Sequence, residues 1–117
     1  MTKGYRITYS VGIGLDLEGL PVLNLDKKIK LAKTEAAVTF GGFDLSYRSG
    51  GWIDGEGKYI EEPAAIFTAI IGEDKLYAIE DFAVFLRLEF NQTSVLMTRQ
   101  PIDFEFVESG KAVSIRD

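Results

Sequence analysis

Tyr5, Ile7, Tyr9, Val11 and Ile13 are large and apolar, and polar or small residues stand between them (Arg6, Thr8, Ser10 and Gly12). This period of two constrains the fold more than any other feature. An extended strand points successive side chains to opposite faces, so the pattern is satisfied only by a sheet with one face buried and one face open. The period then changes. After the turn residues Glu18-Gly19-Leu20-Pro21, the residues Ile29, Ala32, Ala36 and Phe40 recur at spacings of three and four while lysines fill the other side. That spacing predicts a helix over residues 27–36, capped by Asn24 or Asp26 and stopped by Gly41-Gly42. A strand over residues 37–43 is the competing assignment.

Period two returns in Phe43-Asp44-Leu45-Ser46-Tyr47-Arg48, and Gly50-Gly51-Trp52-Ile53 continues that strand with a bulge or bend expected at the glycines. Asp54-Gly55-Glu56-Gly57 reads as a hairpin turn, with positive φ expected at the Asp-Gly step. The chain returns through Lys58 to Glu62 and meets Pro63, which is expected at an edge or bulge because it has no N–H. Residues 65–71 are apolar on both sides, as in a central strand. Gly72-Glu73-Asp74 opens a second helix, whose apolar face is Leu76, Ile79, Ala83, Leu86 and Phe90, widened by Phe82 and Phe85. It is expected to end near Asn91-Gln92. A last strand begins at Ser94, bends at Gln100-Pro101 and alternates through Val107.

The order β-α-β-β-α-β predicts an α+β fold: a ferredoxin-like two-layer sandwich with two helices on one face of a four-stranded antiparallel sheet. At 117 residues the chain suits one domain, 1–117, with residues 108–117 as a polar tail. The uncovered sheet face is expected to carry Arg6, Thr8, Ser10, Asp44, Ser46 and Arg48, and to be the place where a ligand or a second subunit lies.

Composition narrows the chemistry. The chain has no cysteine and no histidine, which removes disulfides, thiol nucleophiles, imidazole metal sites and histidine bases. The net charge is −5, and residues 61–117 carry a net −6 against +1 for residues 1–60. Direct nucleic-acid binding is therefore not expected. The acidic half is read either as a solvated face or as a surface that docks on a basic partner such as a host defence protein. No apolar stretch is long enough to cross a membrane, and no signal peptide is read at the N-terminus, so a cytoplasmic location is expected.

Gly12-Ile13-Gly14 lacks the rest of a phosphate-binding loop and reads as a strand end. Carboxylates pair at Asp16/Glu18, Glu61/Glu62, Glu73/Asp74, Glu80/Asp81 and Asp103/Glu105; the first and last, two apart in extended chain, could hold a divalent cation or do acid–base work, solvation is the plainer reading of all, and no metal, cofactor or catalytic residue is assigned from them. Arginine makes paired hydrogen bonds to phosphate or carboxylate. Arg6, Arg48 and Arg99, with Asn91, are accordingly the candidate ligand-binding residues for a small phosphorylated ligand, and Trp52 is the candidate for stacking on a base. Ordinary surface ion pairing, and a hairpin tryptophan covering the core, are the plainer alternatives. Eight Phe, five Tyr and one Trp exceed what one sheet–helix contact needs, so a homo-oligomer is expected.

The segments Phe40-Gly41-Gly42-Phe43, Gly50-Gly51-Trp52-Ile53-Asp54, Gly57-Lys58-Tyr59-Ile60-Glu61-Glu62-Pro63 and Phe90-Asn91-Gln92-Thr93-Ser94-Val95 resemble a pattern of turns and strand starts in small phage and prophage proteins. Some of these oppose bacterial immunity, among them the Thoeris anti-defence proteins, which sequester a cyclic nucleotide-derived signal. The resemblance implies a phage-type, non-enzymatic protein that binds a nucleotide-like immune signal. The alternatives are an acidic protein–protein inhibitor of the anti-CRISPR kind and a structural oligomeric module without a ligand.

Overall fold

The computed structural model describes residues 1–108. Strand β1 (Thr2–Gly12) leads to helix α1 (Leu25–Phe40), then to the hairpin of β2 (Asp44–Ile53) and β3 (Tyr59–Gly72). A 3-10 turn (Glu73–Ala78) enters helix α2 (Ile79–Glu89), and β4 (Leu96–Phe104) closes the sheet. The strand order is β2-β3-β1-β4 and every neighbouring pair is antiparallel. This is the expected two-layer α+β arrangement. The tail expected at 108–117 falls, beyond Glu108, outside the described residues.

Both helices cover the same sheet face. Ile7, Tyr9 and Val11 are fully buried there, with Phe67 and Ala65 beside them, against Ile29, Ala32 and Ala36 of α1 and Phe82 and Leu86 of α2. Phe82 is the hub. Its ring meets Tyr9, Phe40 and Phe67 edge-on at 4.9, 5.2 and 5.9 Å and stacks on Phe85. The quadrupoles of aromatic rings favour these edge-on contacts. Phe82 and Phe90 are thus absorbed by the core. The Tyr9 hydroxyl donates to Ile79 O at 2.8 Å, where the 3-10 turn passes into α2, so a polar atom inside the core is satisfied.

Several local expectations are revised. Helix α1 begins at Leu25, and Asn24 precedes it in a left-handed conformation (φ 54°) without a side-chain cap; its carbonyl instead accepts from Lys28 N. Asparagine is there because it tolerates positive φ. The β2–β3 register runs unbroken through Gly50 and Gly51, so no bulge forms. In the hairpin the positive φ falls on Gly57, and Asp54 closes the turn by accepting from Glu56 N and Lys58 N. Pro101 is accommodated without breaking β4, because β4 is an edge strand with no neighbour on its outer side among the described residues.

Pro63 shapes the molecule. Its carbonyl accepts from Ile13 N on the β1 side, so its missing N–H lies on that side too, and the β1 ladder stops one residue earlier at Gly12–Ala64. Beyond that row β2 and β3 pair only with each other. They project as a two-stranded arm on which Trp52, Ile53 and Tyr59 are exposed.

Candidate functional site

Directly opposed residues in an antiparallel sheet share a face. The register therefore places Arg6 with Gln100, then Thr8 with Thr68, Thr98 and Asp44, then Ser10 with Leu96 and Ser46, then Gly12 with Ala64 and Arg48, on the face without helices. Where β1 ends and the arm begins, this face dips into a shelf of about 500 Å³. Its floor is small (Gly12, Gly50, Ala64), and Arg48, Trp52, Glu62 and Ser94 stand around it.

Arg48 Nη2 donates to Ser10 Oγ at 3.0 Å, which holds the guanidinium over the shelf. Glu62 lies one row further out, opposite Gly50. No ion pair joins these two side chains, nor does any described residue pair with Glu62. A cation and an anion thus face one small basin without neutralising each other, beside a half-exposed indole. Neighbouring Glu61 points to the other face, where its carboxylate accepts from Ser49 Oγ at 2.6 Å. The Glu61/Glu62 pair is divided by the strand's own alternation.

The structure brings together two of the residues singled out from the sequence, Arg48 and Trp52. Arg6 shares the face but lies three rows from Gly12, with Nη1 3.4 Å from Gln100 Oε1. Arg99 is opposite Ile7 on the helix side of the sheet, 5.6 Å over the Tyr5 ring and close to the start of α2. It is on that side because Pro101 pairs with Tyr5, which fixes the parity of β4. Asn91 adopts φ 50° in the turn after α2; its carbonyl accepts from Leu17 N and its Nδ2 lies 3.4 Å from Asp16 Oδ2. It fastens the β1–α1 loop. Asp16 accepts from Glu18 N and Leu20 N in the same loop, and these hydrogen bonds, that from Leu20 foremost, hold its carboxyl below the ordinary aspartate range. Among the described residues no cluster of three or more His, Cys, Asp or Glu is placed to hold a metal ion, and no helix is long and apolar enough to cross a membrane.

Glu62 and Ser94 are not singled out as site residues by sequence, whereas Gln92 is read there only as a neighbour of Asn91 near the arginines. Glu62 was detectable in principle, since adjacent residues of a strand cannot share a face and Arg48 fixes which face is open.

No family model matches the sequence, and no curated protein matches it. Among the solved structures that share the fold are two phage proteins. One is a phage SAM lyase in complex with S-methyl-5'-thioadenosine, with a TM-score of 0.62 and 16% identity, covering 90% of this chain and 93% of that one. The other is a phage SAM lyase in the apo state, with a TM-score of 0.61 and 16% identity, covering 91% of this chain and 94% of that one. The phage resemblance read from the sequence is met at the level of fold by these two lyases. The expectation of a protein without enzymatic activity is corrected by the same finding: the architecture, over nine-tenths of its length, is one that enzymes use.

Proposed function

We propose that this chain is a lyase that cleaves S-adenosylmethionine, or a close sulfonium relative, on the open-face shelf and releases S-methyl-5'-thioadenosine. The observation that carries the reading is the unpaired Arg48 and Glu62 sharing one basin beside Trp52. S-adenosylmethionine carries a carboxylate, positive charges and an adenine at separate ends. Arg48 suits the carboxylate, Glu62 the positive charge and Trp52 the purine face. The ligand so described is a nucleoside with an amino-acid tail, in place of the phosphorylated ligand expected from the arginines; a single guanidinium on the shelf meets one anion.

The chemistry suits a chain without histidine or cysteine. The ligand's own carboxylate oxygen attacks the γ-carbon, the S–Cγ bond breaks, and its electron pair returns to sulfur. The sulfonium becomes a neutral thioether and the four-carbon fragment closes as a lactone, so no proton transfer is needed in the step. The protein's task is to fold the tail into an attacking geometry and exclude water, which orientation alone supports. Consumption of a methyl donor in this way acts against a host defence that depends on that donor, which makes the chain a phage-type anti-defence protein. The homo-oligomer belongs to the same proposal, with exposed Tyr47, Ile53 and Tyr59, on the face opposite Trp52, as the surface that a second copy covers.

The test is incubation of the purified protein with S-adenosylmethionine, followed by chromatography of the products. S-methyl-5'-thioadenosine is expected to accumulate in equal amount to the substrate lost. Glu62→Gln is expected to slow its release by about 100-fold, the factor that loss of roughly 2.7 kcal/mol of charge stabilisation confers. Unchanged substrate after prolonged incubation, or full activity in Glu62→Gln, overturns the reading.

A further inference from the structure

Gln92 is a buried polar side chain, 7% exposed, in the turn between α2 and β4. Its Nε2 donates to Leu15 O at 2.9 Å and to Phe90 O at 3.1 Å. Two donations to carbonyls fix which end of the amide is nitrogen, so the direction of Oε1 is fixed as well. That oxygen points at Gly12. A methyl group built on Gly12 would lie 3.1 Å from Gln92 Oε1 and 2.9 Å from Glu62 Oε1. Two oxygens from distant parts of the chain, one of them anionic, therefore converge above bare backbone on the shelf floor. Neither accepts a hydrogen bond from a described residue.

We infer that Gln92 and Glu62 together form a subsite for a primary ammonium, and that it reads the α-amino group of the ligand; the inference rests on the function proposed above. The chemistry selects the ammonium over the sulfonium. A sulfonium has no N–H and leaves the Gln92 oxygen without a donor, whereas an ammonium offers three and serves both oxygens at once. A hard divalent cation needs six or more oxygens, and two are supplied. With Arg48 on the same shelf, the carboxylate and the amine of an amino acid are each met by a different group. Gln92 is thus a specificity-determining residue, positioned by its two tethers, and Gly12 is the residue that keeps the space beneath the amine free.

The experiment is calorimetric titration of the full chain with three compounds: S-adenosylhomocysteine, its analogue with a hydroxyl in place of the α-amino group, and S-methyl-5'-thioadenosine, which has no amino-acid tail. The unsubstituted protein is expected to prefer the amine over the hydroxyl by at least about tenfold, the worth of one charge-assisted hydrogen bond. Gln92→Met removes the oxygen together with its tethers. Gly12→Ala keeps the tethers and puts a methyl group into the space that both oxygens face. Each is expected to reduce the preference to about threefold or less, with S-methyl-5'-thioadenosine bound equally by all three proteins. Equal binding of amine and hydroxyl by the unsubstituted protein, or a preference that survives Gly12→Ala, overturns the subsite while thioadenosine binding leaves the shelf in place. Failure of all three compounds to bind removes the proposed function and the subsite together.

Discussion

Strand β1 serves two environments with alternate residues. Ile7, Tyr9 and Val11 are wholly buried under the helices, while Arg6, Thr8 and Ser10, each one position away, face outward. The covered face is held by an aromatic cluster around Phe82. The open face has the opposite character, with small residues on its floor and charges that do not pair. Close packing makes the first intolerant of change, since a lost side chain leaves a cavity. The second can be altered with little effect on stability, which frees its residues for chemistry. Stability and function are thus separated by the pleat of one strand.

The sharpest way to break this comparison is to truncate one residue on each face. Phe82→Ala is expected to cost about 4 kcal/mol in urea denaturation, through lost burial and the hole left among Tyr9, Phe40 and Phe67. Arg6→Ala, on the open face, is expected to stay within about 0.5 kcal/mol. Equal costs for the two would dissolve the distinction.

A smaller effect sharpens it. Burial pushes the Tyr9 hydroxyl well above its ordinary range. The folded state therefore holds this proton more tightly than the unfolded chain does. The stabilisation is complete below the ordinary tyrosine pKa of about 10 and is lost as pH rises above it. Tyr9→Phe is expected to cost about 1 kcal/mol at neutral pH, by leaving Ile79 O without its donor, and to flatten the alkaline loss. Thermal melts from about pH 8 to about pH 12 read both, and an unchanged alkaline slope in Tyr9→Phe would count against the account.

The smallest effect lies in the β1–α1 loop. The Asp16 carboxyl is held below its ordinary value by backbone donors, so its contribution is present above a pH of about 4 and fades as the pH falls through the lowered value. Asp16→Asn is expected to loosen the loop at neutral pH, seen as faster amide exchange at Glu18 and Leu20, and to remove the acid dependence of that exchange. Unaltered protection at those two amides would show that the loop is held by other contacts.

The fold and half of the site are readable from residue order because parity carries them. Once β1 alternates, Arg6 and Ser10 must share the open face, and Arg48 joins them through the same alternation in β2. Arg99 escapes this logic. In β4 neither row is decisively apolar: Leu96, Thr98 and Gln100 stand against Met97, Arg99 and Pro101, so only the pairing of Pro101 with Tyr5 decides the face. Asn91 and Gln92 escape it for another reason. Both lie in a turn, where no period applies, and their partners Asp16 and Leu15 are more than seventy positions away. Nothing local marks one as a fastener of a loop and the other as an oxygen aimed at Gly12.

Where Pro63 halts the ladder, the ribbon that carries Trp52 is two strands wide, whereas Arg48 is anchored in a row of three strands. Two-stranded ribbons coil more than wide sheets do. The indole accordingly rides on a coiled limb and the guanidinium on broader sheet, so the width of the basin between them follows the twist of the limb.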